Sequence, residues 1–370
     1  MKVLIGGDSG SLHTFRWAVQ AHLAGIEMHV FSLNRNSLKE WEAYPGIHIH
    51  YPKDNIGTDL MKSDTGLQKW RYLKAIKDIK LLLSQIHPDA LHAHYTSSYG
   101  LLFRLSGFRP YALSVWGSDV FDFPRRSFLH RTLLSFVLSK ASVIQSTGEI
   151  MASEARKYTR RPVQVIPFGI NLVQFPCKKH KSQSERSSHP VIGTVKSLEN
   201  IYGIDILIEA FALVKKEIPG AHLHITGGGS QLSFLQSLCE RLGIAESVTF
   251  FGKVSPSQVP AQIAELDVFC NLSRRESFGM SILEASAAGV PVVATAVDGV
   301  VETARQGINA IVVKPENSQE AANAILSIIQ DENLYNTLSE GGKNLVCSTF
   351  DEQKIRPAIL DFYLHLGNQK

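Results

Sequence analysis

Short apolar runs that end in glycine and lead into helical spacing recur along this chain, and they restrict the folds open to it. Lys2–Gly6 reads as a strand, Gly6, Gly7 and Gly10 as a flexible turn, Leu12–Leu23 as a helix, and Glu27–Ser32 as a second strand. That order is a βαβ unit, which implies a parallel sheet with crossover helices. The order restarts in the second half: strand Val191–Val195, a Tyr202-Gly203 turn and helix Ile204–Lys216, then strand Ala221–Thr226, Gly227-Gly228-Gly229 and helix Ser230–Leu242. At 370 residues the chain exceeds a typical single core. Two α/β domains are expected, over residues 1–176 and 191–350. The polar, Ser-rich segment 177–190 lacks any period and reads as the linker. The Gly-x-Gly-x-x-Gly spacing of a dinucleotide fingerprint is absent from the first turn.

Cys177, Cys239, Cys270 and Cys347 are far apart with no Cys-x-x-Cys, which argues against a disulfide framework or a zinc site and fits a reducing, cytoplasmic compartment. The apolar part of the N-terminal segment is too short for a signal peptide, and no run approaches the ~18 apolar residues of a membrane span. Charge is unevenly spread. Residues 1–180 hold 23 Lys+Arg against 13 Asp+Glu, or +10; the remainder holds 15 against 21, or −6, which together give the net +4. A basic half suits an acidic partner (an anionic membrane face or a phosphate-bearing acceptor), or it is simply solvated. Nucleic acid is disfavoured, because the basic residues lack a recognition motif with interleaved aromatics.

Several segments of the basic half invite a functional reading. Residues 36–66 are irregular and polar, and a long loop in a compact domain is often functional. Leu67–Ile86 reads as a basic amphipathic helix. His92 and His94 share a face of strand Asp89–His94, but no further ligand has metal spacing. Strand Tyr111–Val115 runs into Trp116-Gly117-Ser118-Asp119, and ligands of open parallel sheets sit at such strand ends. Asp119 could bind sugar hydroxyls there. His13 opens the first helix, as an acceptor contact or as an ordinary helix-end residue. The segment Pro124–Lys140 pairs arginines with an apolar helical stripe, which describes either a core helix with a basic end or one lying on an anionic membrane.

The stretch Glu276-Ser-Phe-Gly-Met-Ser-Ile-Leu-Glu284-Ala carries the most chemistry. Glu276 falls on a loop leaving strand Asp267–Asn271, and Glu284 falls one turn inside a helix that starts at Met280. A helix N-terminus offers unpaired N–H groups to a phosphate, and a carboxylate can accept from both hydroxyls of a ribose. Either residue could also be plainly solvated or a favourable N-terminal charge. Gly289–Thr295 and Asp298–Glu302 then form a second strand–turn–helix unit, so two such units suit a diphosphate.

From about Phe269 to Pro315 the chain resembles the donor-binding signature of family 4 retaining glycosyltransferases. The likeness is carried by Glu276, Phe278-Gly279, Glu284-Ala285, Gly289–Ala294, Gly299 with Glu302, and Gly307–Pro315. It implies a GT-B fold, two doubly wound Rossmann-like domains facing across a cleft, with the last helix, about 351–370, crossing back onto the first domain. It also implies retaining transfer of a hexosyl or N-acetylhexosaminyl group from a nucleoside-diphosphate sugar, UDP being the expected nucleotide, to a saccharide that is lipid-linked or part of a surface polysaccharide. In the family's pattern Glu276 holds the donor sugar, Glu284 the ribose, and Lys196 the diphosphate, where a fixed cation stabilises the departing charge. Phe278, Gly279 and Met280 contact phosphate or sugar through their backbone, Gly10 approaches the donor phosphate, and the turn at Val254 faces the base. His13, Trp116 and Asp119 fall to the acceptor side. Two positions depart from the pattern: Tyr202 stands where a second cation is usual, with Arg274 or Arg275 as candidate replacements, and Trp116 stands where a His is common. No Asp-x-Asp motif occurs, so no metal or other cofactor is required to hold the phosphates. A peripheral place on the inner membrane face would fit such an acceptor. The departures keep two other readings open, a non-catalytic nucleotide-sugar-binding subunit and a sugar-nucleotide epimerase.

Overall fold

Strand β1 (Lys2–Gly6) lies at the centre of a parallel seven-stranded sheet, pairing with β2 (Glu27–Phe31) on one side and β4 (Ala90–His94) on the other. The remaining strands are β3 (Ile47–His50), β5 (Tyr111–Val115), β6 (Val143–Ser146) and β7 (Val163–Val165), in the order β3-β2-β1-β4-β5-β6-β7. Strand order therefore reverses between β1 and β4. Strands buried on both faces read as continuous apolar runs, and β4 and β5 are buried along their whole length. A second parallel sheet holds β8 (Val191–Val195), β9 (His222–Thr226), β10 (Val248–Gly252), β11 (Val268–Asn271), β12 (Val292–Thr295) and β13 (Ala310–Val313), in the order β10-β9-β8-β11-β12-β13, which reverses between β8 and β11. In open α/β sheets ligands bind beyond the strand carboxyl ends at such reversals.

The computed structural model describes residues 1–54, 70–175 and 182–368. Part of the expected acceptor loop (55–66), the first residues of the basic helix (67–69) and the start of the expected linker (177–181) lie outside the described residues. The chain divides into two compact units, Met1–Phe168 with Gln353–Lys370, and Gly169–Glu352. The division falls ahead of the expected boundary at 176, because Gly169–Phe175 counts with the second unit. There Ile170 N donates to Phe350 O at 2.7 Å. Each unit has its own core. Leu91, Leu113 and Ile144 gather with Phe103 and Leu134 in the first, and Ile192, Phe211, Val293 and Ile325 in the second.

Two sequence expectations are corrected. Residues 36–66 are not irregular throughout: Ile47-His-Ile-His50 pairs with β2 as an edge strand, in register Met28 with Ile47 and Val30 with Ile49. The expected linker contains a helix, Gln183–Ser188, whose N-cap Ser182 accepts from Glu185 N at 3.2 Å. Its Arg186 is buried, with the guanidinium carbon 3.8 Å from the centre of the Tyr335 ring. A cation over an aromatic face gains quadrupole attraction, so this segment packs on the second unit. Among the described residues no helix is long and apolar enough to cross a membrane.

Candidate active site

In the second unit β8 ends at Val195 and Lys196 follows at once; β11 ends at Asn271, five residues before Glu276. These are the strands at the reversal, and the loops leaving them meet. Lys196 Nζ donates to Glu276 Oε2, with both side chains almost buried, at 11% and 13% exposure. The same oxygen lies 3.1 Å from Ser273 Oγ and 3.4 Å from Asn271 Nδ2. Ser273 Oγ is also 2.6 Å from Asn271 Oδ1, so its single proton serves one carbonyl-type oxygen at a time. The Lys196 ammonium sits 4.9 Å from the centre of the Tyr202 ring. Burial, and then the Glu276 and Glu199 charges, push the Tyr202 phenol up, which keeps it a neutral hydroxyl.

The arginines beside Glu276 are tied to carboxylates. The Arg274 guanidinium donates to Asp205 Oδ1 at 2.9 Å, Asp205 Oδ2 at 2.7 Å and Glu316 Oε2 at 3.1 Å. It thereby clips the loop to the first turn of helix Ile204–Glu217. Arg275 Nε donates to Asp298 Oδ2 at 3.0 Å. Replacement of the family's second cation by Arg274 is therefore not what the geometry offers, and Arg275 would have to leave Asp298 to do it.

The loop is held in shape by close backbone contacts. Arg274 N donates to Ile201 O at 2.8 Å, Gly299 N to Glu276 O at 3.0 Å, and Thr295 Oγ1 to Ser273 O at 2.5 Å. A Cβ on Gly299 would lie 1.9 Å from Ser277 O, so only glycine fits. Helix Met280–Ala287 begins at Gly279, whose φ of +85° lies in the left-handed region that favours glycine. Phe278 is buried, its carbonyl accepts from Thr303 Oγ1 at 2.8 Å, and Met280 is half-buried. Glu284 is buried one turn into the helix. Ser281 Oγ, at the second helical position, is buried with no hydrogen-bond partner among the described residues. An orphaned hydroxyl at a helix N-terminus costs free energy unless a ligand or water reaches it. Val254 is half-buried on the turn after β10.

Glycines 227 and 229 serve the chain itself. A Cβ at Gly227 would lie 1.7 Å from Lys196 O, and one at Gly229 2.4 Å from Leu198 O. Their smallness lets the β9 loop press against the segment that carries Lys196.

In the first unit the structure brings His13 and Trp116 together. The His13 ring stacks on Phe168 at 4.6 Å between centroids and meets Trp116 edge-on at 5.6 Å; Trp116 packs on His94 at 4.7 Å. Burial, with His92 and His13 nearby, holds the His94 imidazole neutral, well below its ordinary range. Gly10 is exposed, and its N–H donates to Asp8 Oδ1 at 2.8 Å. Asp119 departs from expectation. It is fully buried, with Oδ1 accepting from Trp116 N and Gly117 N at 3.0 Å each and Oδ2 from Thr96 N and Thr96 Oγ1 at 3.1 Å each. Both oxygens staple the loop after β5, and burial raises the carboxyl despite those donors. His92 is likewise taken, by Tyr363 and Ser114. Among the described residues no group of three or more His, Cys, Asp or Glu is arranged to hold a metal ion.

Asn271, Ser273 and Asp205 belong to this site although sequence reasoning passed over them. Asn271-Leu-Ser273 at a strand end ahead of Glu276 was the available signal; for Asp205, sixty-nine residues from Arg274, there was none.

Comparison with known proteins agrees with this architecture. Residues 177–345 match the family model described as glycosyl transferases group 1, and residues 2–148 match the one described as glycosyl transferase 4-like. The chain is 31% identical over 180 residues to a GDP-mannose-dependent alpha-(1-6)-phosphatidylinositol monomannoside mannosyltransferase of Mycobacterium tuberculosis, covering 47% of each chain. It thus spans about half the length of that relative. It is 24% identical to a D-inositol 3-phosphate glycosyltransferase of Salinispora arenicola, covering 96% of this chain and 87% of the relative. Among solved structures, sucrose-phosphate synthase from Thermosynechococcus elongatus superposes with a TM-score of 0.84 at 18% identity, covering 100% of both chains. HepE of Anabaena in complex with UDP superposes with a TM-score of 0.81 at 20% identity, covering 99% of this chain and 100% of HepE. These likenesses show a GT-B fold.

Proposed function

Because the chain belongs to the family 4 glycosyltransferases, we propose that it moves a hexosyl or N-acetylhexosaminyl group from a nucleoside-diphosphate sugar to a saccharide acceptor, with retention at the anomeric carbon. The observation that carries this reading is the meeting of Lys196 and Glu276 at adjacent strand ends, ahead of the helix that holds Glu284. A cation, a carboxylate and a helix N-terminus converge where an open α/β sheet binds its ligand.

Each group has a task. Lys196 exchanges its contact with Glu276 for the diphosphate and stabilises the charge that grows on the leaving oxygen. The backbone N–H groups from Phe278 to Met280, with the orphaned Ser281 hydroxyl, complete the phosphate cradle. Glu284 accepts from the ribose hydroxyls. Glu276, released from Lys196, accepts from hydroxyls of the donor sugar, while Asn271 and Ser273 keep it oriented. The bond from anomeric carbon to phosphate oxygen breaks, the acceptor oxygen bonds to that carbon on the same face, and the departing phosphate takes the acceptor proton. Lys196 and the helix N-terminus supply the charge a metal would otherwise bring, so transfer needs no metal. His13 and Trp116 offer ring faces to the acceptor.

UDP is the first nucleotide to try and GDP the second: HepE was solved with UDP, and the mycobacterial relative is GDP-mannose-dependent. For the acceptor, a lipid-linked saccharide fits the basic first half and the phosphatidylinositol monomannoside in that relative's name.

One observation favours a second reading, a donor-binding subunit that does not turn over. The Tyr202 ring rests against Lys196, and Arg274 and Arg275 are tied to carboxylates. Thermal stability against UDP- and GDP-sugars with chelator present, followed by an acceptor screen, separates the readings. Transfer of labelled sugar establishes the enzyme; saturable donor binding without transfer establishes the subunit; and conversion of the donor sugar to its epimer would replace both.

A further inference from the structure

Helix Phe128–Leu138 buries one stripe and leaves another bare. Leu134, Val137 and Leu138 lie in the core of the first unit, whereas Phe128 is 80% exposed, Leu129 76% and Phe136 42%. Phe128, Thr132 and Phe136 recur every fourth residue, which places them on one face. Thr132 Oγ1 donates back to Phe128 O at 2.9 Å, so that face presents little polarity between its aromatic rings. A single exposed leucine needs no explanation. A phenylalanine and a leucine side by side, both about three-quarters exposed or more at the open end of one helix, mark a surface that meets something apolar.

Cations surround the stripe. Arg125 and Arg126 stand directly before the N-cap Ser127 and are exposed. The Arg104 guanidinium carbon lies 4.5 Å from the centre of the Phe136 ring, and that of Arg131 5.9 Å from Tyr158. Arg161 Nε donates to Ser139 O at 2.8 Å, just past the helix. Glu154 pairs with both Arg125 and Lys157.

We propose that this face docks on an anionic lipid bilayer, with Phe128 and Leu129 entering the headgroup region and the arginines meeting lipid phosphates. The proposal deepens the reading of the acceptor as a lipid-linked saccharide and rests on it. A second copy of the chain is a poorer occupant, because a two-fold contact through this stripe would set Arg125, Arg126 and Arg131 against their own counterparts.

The test is sedimentation of the full chain with vesicles of phosphatidylcholine alone and vesicles that also contain phosphatidylglycerol. The chain is expected to pellet with the second kind only, and less as salt rises. The pair Phe128→Ser with Leu129→Ser is expected to weaken that binding roughly tenfold or more. The pair Arg126→Glu with Arg131→Glu is expected to weaken it and flatten its salt dependence. Both pairs are exposed, so melting temperature and the donor-induced shift should stay at wild type. Equal binding to neutral vesicles, or unchanged binding in both variants, overturns the proposal. So does a concentration-dependent dimer that the Phe128→Ser, Leu129→Ser pair abolishes, which assigns the stripe to a second copy. A donor-induced shift without vesicle binding sinks this surface and leaves the transferase reading; vesicle binding with no donor shift does the reverse.

Discussion

Tyr363 O–H donates to His92 Nδ1 at 2.7 Å, joining the last helix, Glu352–Gly367, to strand β4 across 271 residues of sequence. The bond is one link in a chain of fixed direction. The Trp17 indole can only donate, and does so to the Tyr363 oxygen at 2.8 Å. The Tyr363 proton therefore goes to His92 Nδ1. His92 Nε2 then carries the other proton and donates to Ser114 Oγ at 2.8 Å; Ser114 donates to Gln145 Oε1 at 2.6 Å, and Gln145 Nε2 to Ile166 O at 2.7 Å. A donor-only group at one end and a carbonyl at the other fix every proton between, including the His92 tautomer.

Tyr363→Phe removes one oxygen and leaves two buried groups, Trp17 Nε1 and His92 Nδ1, without their partner. At about 1–3 kcal/mol for each buried unsatisfied group, the loss of stability is expected at about 2–6 kcal/mol. Urea denaturation measures it. A loss below about 0.5 kcal/mol, within the range of ordinary surface substitutions, would mean the chain of bonds does not hold the helix.

Stability should also fall in mild acid. Burial depresses His92 to about 3, and burial with neighbouring histidines depresses His94 well below its ordinary value and His50 to about 4. The folded form keeps these rings neutral, while the unfolded chain takes up protons below about 6.5. The unfolded state thus binds more protons, and stability is full above about pH 6.5 and declines as pH drops toward 4. Each fully buried ring contributes a slope of up to about 1.4 kcal/mol per pH unit; half-buried His50 contributes less. Denaturation midpoints at pH 7.5 and 5.5 give the comparison, and equal midpoints would contradict neutral burial.

Lys196 and Glu284 should separate in kinetics. Lys196→Ala is expected to lower kcat by about 10²–10³-fold, as for loss of a group that stabilises developing charge. On the proposed role of Glu284, Glu284→Ala removes an acceptor for the ribose that acts in ground and transition states alike, so KM should rise while kcat is largely kept. Steady-state rates with the donor found in the screen test both. If kcat falls equally in the two variants, their assigned tasks are wrong.

Gly299→Ala places a methyl group where Ser277 O stands, at 1.9 Å. The loop carrying Glu276 must move, and overpacking of this kind costs about 1–3 kcal/mol. Donor affinity should fall further than stability, because the shift lands on the loop proposed to hold the donor. Gly307→Ala is the contrast: a Cβ there meets nothing within 4 Å, and its only penalty is a φ of +72°. Isothermal titration with the donor, beside melting curves, distinguishes them.

Much of this was readable in one dimension. A period of two or an unbroken apolar run located β1, β2, β5 and β8 to within a residue or two, because strands buried on both faces have little freedom in composition. Ile47-His-Ile-His50 alternates as an edge strand should, but its flanking prolines, Pro45 and Pro52, read as loop. Ser182-x-x-Glu185 carries a helix-start signature, yet six polar residues show no apolar period to confirm it. The asymmetry lies in where the energy resides. Periodicity records burial, which each segment pays for locally, whereas this short polar helix is held by its Ser182 cap and by distant contacts such as Arg186 on the Tyr335 ring.

The sequence by itself determined the two parallel sheets and the pairing of a loop carboxylate with a helix that holds another, since both follow from local spacing and the glycines between. Tertiary structure alone decided which charges are available. Glu276 meets Lys196 eighty residues away, Arg274 is spent on Asp205 and Glu316, and Asp119 turns inward to two N–H donors of its own loop and two donors of Thr96 after β4. Residues so distant in sequence leave no periodic trace of one another, and a charge's partner is set by distance and burial in three dimensions.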